Sequence, residues 1–249
     1  MQIAYSIAIG EEKSMRYAIY FTPPQDDPLT QATARWLGRD PFSGEPVAPV
    51  AAAPFSAAEI SFHTAAARRY GFHATLKAPF RLAEGETEKG LIAALDDFSR
   101  HSEPLCVPRA VVRRLDGFYA LVPEEPFAAL DAFAAGVVTG FERFRAPLSS
   151  EEIDRRNPES LTPGQLKNLQ KWGYPYVFED FRFHMTLTGR VPQSEAARME
   201  RAIDAFFGPL LAEPLEITSL ALFVEPEPGA PFLVKSFHEL GWKKERKTA

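Results

Sequence analysis

The chain has 249 residues, 45% of them apolar and 24% charged, with a formal net charge of −5. That is enough chain to bury a core in one domain or two lobes, and the mild acidity argues against a general nucleic-acid coat while leaving room for a local basic groove. One cysteine, Cys106, excludes an intramolecular disulfide framework and a cysteine-based zinc site, and no apolar run approaches the roughly 20 residues that span a bilayer.

Residues 1–14 precede a second methionine, Met15, and read either as an extension from an upstream start or as a segment added to the natural protein, so the fold is read from Met15 onward. They lack the form of a secretory signal, so a cytoplasmic protein is expected. Residues 16–22 alternate and are β-rich, predicting a strand that Pro23-Pro24 stops. A short helix is expected over 28–39, closed by Gly38, then a Pro- and Gly-punctuated loop over 40–54. Ser56 caps a helix running from Ala57 to Arg69. Residues 71–80 predict a strand, and 87–100 an amphipathic helix with Leu91, Leu95 and Phe98 on one face. Strands over 104–114 and 117–123 join at Asp116-Gly117, a hairpin signal. A helix from Pro126 to near Phe144 leads into a mixed, partly helical insert, 145–180. A strand over 181–191, a helix capped by Ser194 and running to Phe207, and strands over 214–224 and 231–238 complete the chain, with a charged tail at 243–249. Cys106, in an apolar run, is expected to be a buried strand residue.

One pattern occurs twice. Phe72-His73-Ala74-Thr75-Leu76 returns as Phe183-His184-Met185-Thr186-Leu187. Each copy is followed by a helix, then by Glu-Pro-Leu (103–105 and 213–215), then by a strand pair. Two copies are too few for a solenoid. They predict an α+β fold of two β-rich lobes in pseudo-two-fold relation, 15–125 and 126–242, with helices outside and a central groove.

On a strand, residues i and i+2 share a face. His73 therefore shares a face with Thr75, and His184 with Thr186, while Phe72, Ala74, Leu76 and Phe183, Met185, Leu187 face the helices. A groove that gathers both polar faces holds two imidazoles and two hydroxyls. Two histidines titrating near neutrality can act as base and acid together, and threonine hydroxyls can donate to phosphate oxygens as charge develops. This set suits phosphodiester chemistry without a metal.

The paired HxT strands, each trailed by a helix and a hairpin, resemble the 2H phosphoesterase superfamily. They are most similar to a bacterial branch named as putative phosphonate metabolism proteins, which share strands like Arg16–Phe21, Tyr70–Phe80 and Phe181–Gly189 and the segment Trp36-Leu37-Gly38-Arg39-Asp40. The resemblance runs from Met15 to about Trp242. It implies a two-lobed fold with a concave sheet groove, His73, Thr75, His184 and Thr186 as the catalytic set, and no cofactor. The implied activity is hydrolysis of a cyclic phosphodiester of a small phosphorylated sugar or nucleotide in phosphonate breakdown. Two alternatives stand beside it: a 2′,3′-cyclic phosphodiesterase on RNA ends, and a non-catalytic nucleotide- or RNA-binding module.

Cations near the groove are expected to hold phosphate. Lys77 and Arg190 fall on the HxT faces by alternation, and Arg39 sits on a loop placed near the groove. Tyr174, in the aromatic stretch 167–176, either lids the site or packs the insert. His63 is expected on the surface and His101 as a helix cap. His238, near the end of the last strand, reads as structural.

Overall fold

In the computed structural model the described residues are 15–241; the expected extension 1–14 and tail 243–249 lie outside them. The chain runs β1 (Arg16–Phe21), α1 (Pro28–Leu37), α2 (Ala57–Arg68), β2 (Ala74–Phe80), α3 (Glu88–Arg100), β3 (Leu105–Val107), β4 (Ala110–Leu115) and β5 (Phe118–Pro123). It continues through α4 (Ala128–Gly140), α5 (Ser150–Asp154), α6 (Pro163–Trp172), β6 (Met185–Thr186), α7 (Ala196–Phe207), β7 (Leu215–Ile217), β8 (Ser219–Glu225) and β9 (Leu233–Glu239). No helix among the described residues is long and apolar enough to cross a membrane.

Local chemistry sets most boundaries. The Asp27 carboxylate accepts from the Leu29 N–H at the start of α1, and Gly38 ends that helix in the left-handed region. Ser56 and Glu59 form a reciprocal capping box on α2. Asp116 and Gly117, both at positive φ, make the tight turn between β4 and β5.

Several details differ from expectation. The strand foreseen over 104–114 breaks at Pro108, which has no N–H to give a ladder. Cys106 lies on the exposed side of β3, opposite Glu216, and is not buried. The second HxT strand ladders only at Met185–Thr186: the N–H groups of Leu187 and Thr188 both go to the Tyr119 carbonyl, and the Thr188 hydroxyl takes the Tyr119 N–H. Ser194 belongs to a 3₁₀ turn ahead of α7 and does not cap it.

Seven strands form one antiparallel sheet in the order β4-β5-β6-β2-β1-β8-β9, and β3 pairs with β7 in a separate ribbon. One face carries Ile19, Phe21, Ala74, Leu76, Met185, Leu187, Leu220 and Leu222, packed under the helices as the main core. Burying each large apolar side chain of this set contributes roughly 1.5–3 kcal/mol. The opposite face carries a smaller cluster: Ala18, Tyr20, Ala221, Phe223 and Phe232.

The strand order interleaves the two halves of the chain, 15–125 and 126–242. The hairpin β4–β5, from the first half of the chain, lies beside β6 with the second motif, while β8–β9, from the second half, lies beside β1. The ribbon shows how: β3 and β7, which follow the two helices, pair with each other. The two halves cross there, and each delivers its hairpin to the far flank.

Candidate active site

The two motif strands meet at the centre of the sheet, where Ala74 pairs antiparallel with Met185. Both residues point into the main core. Their neighbours therefore point to the other face, and the antiparallel register sets His73 alongside Thr186 and Thr75 alongside His184. The two imidazoles lie on a diagonal, with a hydroxyl between them on either side.

Both imidazoles are held in the same way. His73 Nδ1 is 3.0 Å from the Gly71 carbonyl, and His184 Nδ1 is 2.8 Å from the Arg182 carbonyl. A carbonyl only accepts, so each Nδ1 carries the proton and each Nε2 is left for other chemistry. His73 Nε2 is 3.4 Å from the Thr75 hydroxyl. The Gly71 carbonyl reaches its place because Gly71 adopts φ +76, turning the chain from α2 into the strand; a Cβ there would meet Pro41 at 2.7 Å.

The surroundings of the two rings differ. His73 stacks on Tyr20, with ring centroids 3.9 Å apart at 22°, and lies 6.0 and 6.1 Å from Phe223 and Tyr70. Burial first, then the charge of nearby His184, lowers its pKa to about 4, against the opposing hydrogen bond to Gly71. His184 rests on Phe118 and faces a cavity of about 600 Å³ that it shares with Thr75, Tyr174, Arg182 and Arg190. Asp116, Glu179 and Asp180 also line that cavity, so its charge is mixed.

The structure brings together His73, Thr75, His184, Thr186, Arg190 and Tyr174. It does not bring Lys77 or Arg39. Between Thr75, opposite Tyr20, and Lys77, opposite Ile19, β2 carries a bulge against β1. The extra residue turns Lys77 onto the helix face beside Leu76. There its ammonium is 2.8 Å from Glu142 and 3.0 Å from the Val138 carbonyl in the last turn of α4. Burial pulls its pKa below the ordinary lysine range, with Glu142 opposing. Arg39 is buried as well. Its guanidinium donates to the carbonyls of Arg68, Arg69 and Phe232 and ties α2 to the segment before β9.

The remaining histidines are structural. His63 is 6% exposed, with Nε2 3.1 Å from Glu195, which corrects its expected surface placement. His238 lies on the helix face of β9, with Nδ1 2.6 Å from Asp96 and Nε2 2.8 Å from the Ser236 hydroxyl, and joins the edge strand to α3. His101 donates from Nδ1 to the Asp97 carbonyl at the end of α3. Among the described residues no group of three or more His, Cys, Asp or Glu side chains is placed to hold a metal.

Sequence reasoning missed Tyr20 and Tyr70, the aromatic wall of His73. Alternation along β1 could have put Tyr20 on the polar face, but its pairing partner was not legible. Arg156 was missed too: its guanidinium lies over the Tyr174 ring at 5.1 Å.

A family model described as protein of unknown function (DUF1045) matches residues 75–233. The chain is 41% identical over 231 residues to the ribose 1,5-bisphosphate phosphokinase PhnN of Janthinobacterium sp. (strain Marseille), covering 91% of this chain and 51% of that protein. It is 37% identical over 218 residues to the protein of the same name from Laribacter hongkongensis (strain HLHK9), covering 88% and 50%. The chain thus spans about half the length of the curated relatives it matches. Among solved structures, TT0787 of Thermus thermophilus aligns with a TM-score of 0.42 at 19% identity, over 92% of this chain and 99% of that one. Escherichia coli LigT complexed with 3′-AMP aligns with a TM-score of 0.41 at 13% identity, over 91% and 98%.

Proposed function

This chain belongs to the DUF1045 family, and we propose that it is a metal-independent phosphoesterase that opens a cyclic phosphodiester on a small phosphorylated sugar or nucleotide. The observation that carries the reading is the matched pair of histidines. Each holds its Nδ1 proton on a backbone carbonyl two residues earlier, and the two stand diagonally about one strand pair.

His73, kept neutral at pH 7 by burial, takes a proton from water through Nε2. The water oxygen attacks phosphorus as one ring P–O bond breaks. His184, when protonated, gives its Nε2 proton to the departing sugar oxygen. The hydroxyls of Thr75 and Thr186 donate to the non-bridging oxygens, whose charge grows in the transition state. His73 ends protonated and His184 neutral; exchange with solvent resets them. The diagonal arrangement suits an in-line displacement, with base and acid at opposite ends of the reacting phosphorus.

The phosphorylated-sugar substrate class is supported by the relatives' name, which says that they act on ribose 1,5-bisphosphate while about half of their length resembles this chain. Opening a cyclic phosphate leaves a phosphomonoester of the kind such a kinase uses. An RNA end is favoured less, because the relatives' name gives a small sugar phosphate and not a polynucleotide. The test is a panel of cyclic phosphodiesters followed by phosphorus NMR. Conversion to a phosphomonoester by the wild-type chain, and not by His184→Ala, supports the reading; no conversion of any member by the wild type overturns it.

A further inference from the structure

A second cavity, of about 630 Å³, is lined by five arginines: Arg16, Arg69, Arg81, Arg155 and Arg156. That is a concentration of positive charge on a chain with a net charge of −5. Three of the five are already committed. Arg16 and Arg69 both hold Glu225, a fully buried carboxylate that also accepts the Gly229 N–H at 3.0 Å. Burial pushes the Glu225 carboxyl up, but these partners outweigh it and keep it ionised. Arg81 holds Glu152 at 3.0 Å and the Pro147 carbonyl at 2.9 Å. Glu151 also lines the cavity and makes no ion pair with any of the five among the described residues.

Arg155 and Arg156 are different. Among the described residues neither guanidinium makes a hydrogen bond or ion pair; Arg156 only stacks on Tyr174. Adjacent arginines with unused donors match the oxygens of a phosphomonoester dianion. The position is also informative. Tyr70 lines the arginine cavity, and its ring is 6.1 Å from that of His73. Tyr174, under Arg156, lines the cavity of His184. Arg156 on the one cavity thus touches Tyr174 on the other, which sets the two cavities side by side, and the insert 145–180 supplies both residues of that contact.

We infer that the arginine cavity is a second phosphoryl site, in which Arg155 and Arg156 hold a terminal phosphomonoester of the same small substrate whose cyclic phosphodiester lies at His73 and His184. The inference rests on the phosphoesterase reading for the second half of that statement. It makes the insert the specificity element of the enzyme: the chain acts on doubly phosphorylated small molecules, and the terminal group anchors them.

The test compares two probes, a ribonucleoside 2′,3′-cyclic phosphate with and without a 5′-phosphate. Affinity is measured calorimetrically on His184→Ala, which binds without turnover, and kcat/KM on the wild type. The 5′-phosphate should tighten binding by about 10- to 100-fold, the range expected for hydrogen bonds to a charged group. Adding Arg155→Ala/Arg156→Ala should abolish that gain, so that the two probes bind with the same affinity. Arg155→Lys/Arg156→Lys should keep part of it, because charge remains while the fork geometry is lost. In turnover the change should appear in KM and not in kcat, since a remote anion is bound equally in ground and transition states. No preference for the 5′-phosphate, or a preference untouched by the arginine substitutions, overturns the site. A preference that depends on the arginines, with neither probe hydrolysed by the wild type, upholds the site and counts against the phosphoesterase reading.

Discussion

The ring of Tyr20 lies flat against that of His73, 3.9 Å away and 22° from parallel, and takes one face of the half-buried imidazole out of water. The neutral ring is comfortable there and the cation is not. His73 is therefore lowered from 6.5 to about 4. In the unfolded chain it regains the ordinary value, so between about pH 4 and 6.5 the unfolded state binds the extra proton. Stability must rise with pH across that window, by up to about 1.4 kcal/mol per pH unit, and level off above it. His73→Phe, followed by denaturant unfolding at several pH values, should flatten this part of the profile; an unchanged slope would show that His73 is not the group responsible.

The two histidines should be separately indispensable. His73→Ala and His184→Ala are each expected to lower kcat by about 10²–10⁴ with little change in melting temperature. Thr75→Val or Thr186→Val should cost less, because each removes one of several donors to the phosphate. Full turnover by either histidine variant would contradict the assigned proton transfers.

Lys77 should matter to the fold and not to the substrate. Lys77→Ala leaves Glu142 with Arg145, 2.6 Å away, as its remaining partner. The loss should fall toward the lower end of the roughly 3–5 kcal/mol seen when one member of a buried pair is removed. Equilibrium unfolding measures it. A raised KM with unchanged stability would instead return Lys77 to the substrate site.

Gly71 is expected to resist substitution. Gly71→Ala combines φ +76 with a Cβ 2.7 Å from Pro41, strain of about 1–3 kcal/mol. The backbone shift that relieves it moves the carbonyl that orients His73. Both melting temperature and kcat should drop; a drop in melting temperature alone would mean the carbonyl contact is dispensable.

Exhaustive EDTA treatment should leave turnover intact, since the proton transfers and phosphate contacts are assigned to side chains. Activity lost to the chelator and recovered with zinc or manganese would require those roles to be withdrawn.

How much of this was legible beforehand depends on the range of the interaction. The HxT repeat, the capping residues at Asp27 and Ser56 and the Asp116-Gly117 turn are local patterns, and reading them needs only strand or helix periodicity. Lys77 and Arg39 were misplaced for a non-local reason. Alternation puts Lys77 beside Thr75, but the bulge that reverses it arises from pairing with β1, some 55 residues earlier in the chain, between Ile19 and Tyr20. Arg39 is held by carbonyls of two distant segments. Arg155 and Arg156 carry no motif at all; their meaning comes from where the insert folds back.

The exchanged hairpins have a consequence for how the chain can be made. β1 is flanked on one side by β2 and on the other by β8, residues 219–225. During synthesis β1 must wait for β8, about 200 residues later, before its second edge is covered. An emerging chain therefore carries an open sheet edge until β8 is made, and a fragment ending before β8 presents that edge to its neighbours. Such fragments are expected to self-associate, and the halves, expressed as two separate chains, to gain solubility only when they are produced together.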